Sequence, residues 1–514
     1  MERGTIVGHK AGITVVVMGA ALMALIDITI VNVALNDIRA SFGTPLDQIG
    51  WVSTGYMMAN IVVIPMTGWF QRKFGFRRYF AASVLLFTAA SALCGLAWSL
   101  PTLVLFRVLQ GLGGGAIIPT AQTILFARYP REEHGMAGAL FMLGAVTGPL
   151  LGPTIGGYLI DWASWHWVFL VNVPLGALVA VLGLRFIEEP GFEPSREPMD
   201  WFGLGLLAVG MASLQYVLEE GNRDGWFDSR TIVLLAVVAG TALVTFVVHE
   251  LETKHPLVDL RVFKNRTYTA ATGINLLMGL ALFSGSFLFS LYCGTILHYE
   301  ALDIGRVFLV SGLAQIVLMP IVGRLTGRID GRALLFVGIV GISISLWLNA
   351  HLTNEAGFRD LVSAMTVRAV SLAFVFIPIS VLALSGVSPA QRGNASGLFN
   401  LTRELGGSIG TAWMGFLVER GSHIHGAYLA EAVSPQNPIV QEQLAQVART
   451  IGGQAFTPEL VPETVLALRV KSQALVLSFN DGFYSAAAAF LFAFVLLALL
   501  RRPKVDGGGA EVAH

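Results

Sequence analysis

The sequence predicts an all-α polytopic membrane protein, and three observations carry that expectation. Of 514 residues, 54% are hydrophobic and only 13% charged, about half the charged share of a soluble globular domain. Mean hydropathy is +0.68. Apolar runs of about 20 residues, the length a helix needs to cross the hydrocarbon core, recur from one end of the chain to the other. Lipid rather than an internal core must take up so much apolar surface, which excludes a water-soluble fold.

In order, the spans fall near 12–34, 49–70, 79–99, 103–127, 136–159 and 166–187, then 199–218 and 230–249, then 267–297, 303–325, 333–352, 360–386, 395–418 and 481–500. Six, two and six make fourteen. The chain therefore divides into an N-terminal six-helix bundle (1–190), an inserted two-helix linker (191–266) and a C-terminal six-helix bundle (267–514). The last includes a polar segment at 419–480, with Pro435, Pro438, Pro458, Pro462 and short amphipathic stretches such as EQLAQVARTI. It is expected as a loop outside the membrane. Met1 to Lys10 leads directly into an apolar run with no small-residue cleavage site, so the first span is expected to stay.

With 33 basic and 33 acidic residues the formal net charge is zero, and nothing marks a nucleic-acid surface. The distribution is more informative. Outside the spans, 21 basic residues fall on the side of the termini and nine on the other, four of those nine within 419–480; Arg107, Arg368 and Arg403 lie inside spans. The positive-inside rule then puts both termini in the cytoplasm. GWFQRKFGFRR at 68–78 has a counterpart, GRLTGRIDGR at 323–332, after the second span of each bundle. Such recurrence is expected of a transporter built from structural repeats.

An ionisable group inside a span is costly, so each one needs a partner, water or a function. Asp27, in ALIDITIVNVAL with Asn32 nearby, is the sharpest case. Its carboxyl is neutral when protonated and charged when not, which suits a proton site; a fixed ion-pair acceptor is the other reading. In RVLQGLGGG at 107–115, Arg107, Gln110, Gly111 and Gly114 share one helical stripe. Arg107 reads equally as an anchor or as part of proton coupling. Gly144, Gly148, Gly152 and Gly156 recur every four residues with Pro149 and Pro153 among them. That spacing allows two backbones to approach, and the prolines suggest a bent helix at a moving interface. In NASGLFNLTRELGGSIGTA, Asn400 and Arg403 share a face with Glu404 alongside, a second protonation candidate or a solvated partner at the cytoplasmic mouth. Phe283 and Phe287 in the ninth span read as packing or lipid-facing, with a cavity for flat apolar compounds as the alternative. Asn32, Gln110, Gln122, Asn275, Phe283, Phe287 and Asn400 form the expected substrate cavity.

Other classes find little support. No G-x-x-x-x-G-K occurs, so ATP hydrolysis is not expected, and no nucleophile–base set can be assembled on one membrane face. No cofactor or metal is expected; His423 and His425 make only a weak H-x-H. Cys94 and Cys293 sit in apolar runs and read as small buried residues.

At these motifs the sequence resembles the major facilitator superfamily, specifically its fourteen-span drug:proton antiporters of the EmrB type, over nearly the whole chain. IDITIVNVAL at 26–35 is similar to that family's first-span signature and places its coupling acid on Asp27. RVLQGLGGG resembles the fourth-span motif, GAVTGPLLGPTIGG at 144–157 the antiporter motif, and WHWVFLVNVPLG at 165–176 a further typical stretch. The turn at Gly68, Gly75, Arg77 and Arg78 resembles the family's loop motif, but Arg72 stands where an acid is usual, and Ile26 and Asn36 replace the usual Leu and Pro. The resemblance implies two six-helix bundles around a cavity, an inserted helix pair, and alternating access. It further implies proton-gradient-driven export of hydrophobic or amphipathic compounds from a bacterial inner membrane, with Arg107, Arg403 and Glu404 assisting Asp27. Partners implied are the lipid bilayer, a periplasmic adaptor of the EmrA type and an outer-membrane channel of the TolC type. The competing readings are a facilitator or importer of the same fold, which needs no proton site, and a membrane enzyme or receptor.

Overall fold

The computed structural model describes residues 9–388, 391–433, 440–442 and 461–500. Among these, fourteen long helices coincide in order with the expected spans: α1 (Lys10–Phe42), α2 (Trp51–Phe74), α3 (Phe76–Cys94), α4 (Leu100–Arg128), α5 (His134–Trp162), α6 (Trp167–Phe186), α7 (Trp201–Glu220), α8 (Arg230–Glu252), α9 (Arg266–Thr295), α10 (Ala301–Thr326), α11 (Gly331–Asn349), α12 (Phe358–Ser385), α13 (Arg392–Ala432) and α14 (Val461–Leu499). α6 is interrupted at Val171. Ten helices of the described residues are long and apolar enough to cross a membrane by composition alone; α2, α3, α5 and α13 are not among them. Polar and charged residues lower the hydropathy of α2, α3 and α13, whereas α5 is as apolar as any of the ten.

Local chemistry sets the helix ends. Asp200, Asn265 and Asp330 accept backbone N–H bonds at the starts of α7, α9 and α11, and Ser99 forms a capping box with Thr102 at the start of α4. Between α2 and α3 a single residue, Gly75, turns the chain at φ +81°, a region open to glycine.

The packing repeats. In the first half α1 lies on α5 and α4, α2 on α4, and α3 on α4 and α6; in the second, α9 lies on α13 and α12, α10 on α12, and α11 on α12 and α14. Adding eight to each helix number of the first set reproduces the second. The halves meet where α2 crosses α13 and α5 crosses α10, a pair of contacts related by the same shift. α7 and α8 pack on each other, and α7 also touches α2 and α13.

The structure corrects one expectation. The 419–480 segment is not all loop: α13 continues to Ala432, and α14 is already helical at Val461. Falling hydropathy marks where a helix leaves lipid, not where it ends, and Pro462 occupies a first turn, where proline is tolerated. Pro435, Pro438, Pro458 and nearly all of EQLAQVARTI lie outside the described residues.

Candidate functional site

Five helices build a polar cluster inside the first half. Arg107 of α4 donates from Nη1 to Asp27 Oδ2 of α1 at 2.7 Å and to Gln110 Oε1 at 2.7 Å, while its Nε donates to the Val52 carbonyl of α2 at 3.0 Å. Gln110 Nε2 and Asn172 Nδ2 of α6 each reach Asp27 Oδ1 at 2.8 Å. Ser91 of α3 accepts from both amides and donates to the Phe169 carbonyl at 2.9 Å. The guanidinium lies 4.2 Å over the Tyr56 ring. Asp27 and Arg107 are fully buried. Two charges withdrawn from water persist only when paired and hydrogen-bonded, and both conditions are met. In this conformation Asp27 is an ion-pair acceptor, and Asn32, exposed one and a half turns on, accepts instead from Ser53.

The glycines of α4 explain how three helices come so close to that cluster. A Cβ on Gly113 would lie 2.6 Å from the Phe87 backbone of α3, and one on Gly115 2.5 Å from the Asn60 carbonyl of α2; Gly111 meets the Tyr56 carbonyl. The stripe on α5 works likewise against α1. Gly148 faces Leu25, Gly152 faces Thr29, and Gly144 and Gly156 face Met18 and Ile30. The stripe therefore packs within one half, and the interface between halves uses another face of α5. The side chains of Pro149 and Pro153 lie outside the described ones.

Between the halves, a cavity of ≈ 20 Å³ is lined by Ile28, Met57, Asn60, Asn400, Arg403 and Glu404, among others. Arg403 is paired with its neighbour Glu404 at 3.2 Å and lies 5.6 Å over the Phe376 ring. Glu404 is thus central, twelve residues into α13, rather than at its mouth. A larger cavity of ≈ 350 Å³ lies at the terminus end, bordered by Glu132, Glu133, Arg324 and Arg328, away from the buried polar cluster.

The terminus end is shut by close backbone contact. Gly68 of α2 leaves 2.6 Å between its would-be Cβ and the Asn394 backbone of α13, and Gly135 of α5 meets the Gly323 carbonyl of α10. Next to this seam Gln122 accepts from Asn400 Nδ2 at 2.7 Å and from Ser396 Oγ at 3.0 Å, all three buried. Toward the far ends of α5 and α10, Gly157 and Gly305 meet no heavy atom of another element within 4 Å of a would-be Cβ.

Of the expected cavity residues, Asn400 lines the central space, while Gln110 and Gln122 are committed to buried networks. Asn275 ties α9 to the Phe399 carbonyl of α13 at 2.5 Å. Phe283 and Phe287 are partly exposed on α9, with Phe283 against Gly407. His425 meets Asp481 at 2.7 Å where α13 and α14 run on together.

Several residues escaped sequence reasoning. Asn172 and Ser91 look ordinary in their spans until folding brings them to Asp27. The acid missing at Arg72 is met from elsewhere: Glu197 lies 3.8 Å from Arg72 Nε, and Ser195 N–H donates to the Arg72 carbonyl at 3.0 Å. Glu189 accepts backbone N–H bonds from Phe76 and Arg77. Burial pushes its carboxyl above the usual range, and those two bonds pull the other way. No spacing within 68–78 points to a segment more than a hundred residues on.

The comparisons with known proteins agree with one another. The family model of the Major Facilitator Superfamily matches residues 17–411. The multidrug export protein EmrB of Haemophilus influenzae is 33% identical over 485 residues, covering 94% of this chain and 94% of that protein. EmrB of Escherichia coli strain K12 is 33% identical over 503 residues, covering 98% and 97%. Among solved structures, the proton:xylose symporter XylE superposes with a TM-score of 0.60 at 13% identity, covering 95% of this chain and 96% of that one. At that identity the likeness speaks for the fold alone.

Proposed function

The chain belongs to the major facilitator superfamily, and from that membership we propose that it is a proton-coupled antiporter exporting hydrophobic or amphipathic compounds. The observation that carries the export reading is the 33% identity to a multidrug export protein over 98% of the chain. All fourteen long helices cross the membrane in this reading. With the basic residues concentrated at the terminus end, both termini are cytoplasmic in a bacterial inner membrane. The shut seam at Gly68–Asn394 and Gly135–Gly323 then closes the cytoplasmic side.

Asp27 is the coupling acid. A proton on Asp27 cancels its charge and leaves Arg107 without a counter-ion, so α1 and α4 must rearrange. Because α1 packs on α5 through the glycine stripe, and α5 meets α10 at the seam, the rearrangement reaches the gate. Substrate and proton then favour different conformations, which is the reciprocal coupling that exchange requires. Arg403 and Glu404, which line the central cavity, supply the polar contacts for substrate and a second protonation candidate. No cofactor enters; the proton gradient supplies the energy.

An adaptor of the EmrA type and a channel of the TolC type complete the pump. Support comes from length: α13 has 41 residues and α14 has 39, about 60 Å each at 1.5 Å per residue, roughly twice the hydrocarbon core. The surplus projects on the side away from the termini and offers an adaptor a helical hairpin.

The test uses proteoliposomes with an imposed proton gradient and a fluorescent amphipathic dye. Wild type accumulates dye against its gradient and releases protons on dye binding. Asp27→Asn is expected to insert normally and lose both. Uphill transport by Asp27→Asn with unchanged proton release would refute the role of Asp27 and move the test to Glu404.

A further inference from the structure

The second half contains a buried cation that lacks the acid its counterpart has in the first. Arg368 lies ten residues into α12 and Arg107 seven into α4; α12 packs on α9 as α4 packs on α1. Arg107 finds Asp27, seventeen residues after the start of α1; Arg368 finds Ser286, twenty after the start of α9. The two pairs therefore occupy equivalent places in the repeat, each displaced by three residues. Arg368 Nη2 donates to Ser286 Oγ at 2.9 Å, and among the described residues no carboxylate stands within ion-pair distance. The side chain is buried. A guanidinium at membrane depth without a counter-charge is unfavourable unless water, backbone carbonyls or an anion from outside the chain compensates it.

Gly285, beside Ser286, packs directly on this group, so that a Cβ there would stand 2.8 Å from Arg368 Nη1. Among the described residues Ser286 is the hydrogen-bond partner of the guanidinium. Its remaining N–H groups form a planar fork that matches a carboxylate.

We propose that Arg368, with Ser286 and Gly285, forms a binding site for a monovalent anion, which supplies from outside the chain what Asp27 supplies within the first half. Two sources share this chemistry: the ionised head of an amphipathic carboxylate, or chloride. The first would make the site a headgroup subsite and rests on the transport reading; the second would make it a structural ion site and does not. Either occupant balances the charge, and a lipophilic cation cannot.

The experiment uses full-length protein purified in neutral detergent and chloride-free sulfate buffer, titrated calorimetrically with decanoate, with chloride, and with dodecyltrimethylammonium. Wild type is expected to bind at least one of the two anions saturably. Arg368→Gln should weaken that binding at least tenfold and Arg368→Lys less. Ser286→Asp should also weaken it at least tenfold, because it installs the counter-charge in place and recreates the Asp27–Arg107 arrangement. None of the three should alter binding of the cation. Decanoate bound more tightly than chloride identifies the headgroup subsite; chloride alone identifies the ion site. The proposal is overturned if wild type binds neither anion, or if Ser286→Asp and Arg368→Lys bind both within twofold of wild type. Ser286→Asp keeps the test decisive should Arg368→Gln fail to fold. Because the readout is binding, a protein that exports nothing but still binds anions at Arg368 would sink the transport reading and leave this one standing.

Discussion

Arg107 reaches Asp27 at 2.7 Å with both side chains withdrawn from solvent, so deleting either charge strands the other. Removing one member of a buried pair typically costs about 3–5 kcal/mol, whereas replacing both by neutral groups costs much less. Arg107→Gln and Asp27→Asn should each lower the thermal stability of purified protein markedly, and the two combined should recover most of the loss. Additive effects in this double-mutant cycle would show that the pair is uncoupled.

The glycine stripe of α5 has a sharper steric consequence. A Cβ on Gly148 would lie 2.6 Å from Leu25 Cβ, and one on Gly152 would collide with the Thr29 side chain. Gly148→Leu or Gly152→Leu should force α1 and α5 apart by more than a side chain can absorb. Membrane insertion, followed by immunoblot of the membrane fraction, should persist while dye efflux from cells falls to background. Full efflux by Gly152→Leu would show that α1 and α5 tolerate separation.

Sidedness can be read with two cysteines. Lys254, in the segment after α8, and Arg420, on the projecting part of α13, are exposed, and the native Cys94 and Cys293 are buried. In intact spheroplasts an impermeant maleimide should label Arg420→Cys and not Lys254→Cys. Labelling of both from one side would overturn the topology.

Glu189 gives a pH-dependent effect outside the spans. Burial raises its proton affinity in the folded protein, with the Phe76 and Arg77 N–H groups opposing. A raised value means that Glu189 stabilises relative to the unfolded chain at low pH and that this contribution is lost as pH rises through the folded-state value. Glu189→Gln keeps an acceptor oxygen and never ionises. Its melting temperature should match wild type near pH 4 and exceed it increasingly toward pH 7; a constant difference across that range would contradict the assignment.

Much of the architecture is legible in the sequence because transfer into lipid is a local property. Each apolar run near 20 residues predicts a helix without knowledge of its neighbours, which is why the fourteen expected spans match fourteen long helices in order. The same locality hid the extensions of α13 and α14, whose polar residues satisfy a helix outside lipid as well as a loop. The candidate site was legible as residue types only. Asp27, Arg107 and Glu404 stand out because charge in a span is costly. Which partner relieves each charge depends on how helices distant in sequence are brought together. Tertiary structure decided that Asp27 is held by α4 and α6, that Glu189 and Glu197 come to the turn at Gly75, and that Arg368 meets a serine where its counterpart meets an acid. Burial and pairing belong to the arrangement of helices, and no single span contains that information.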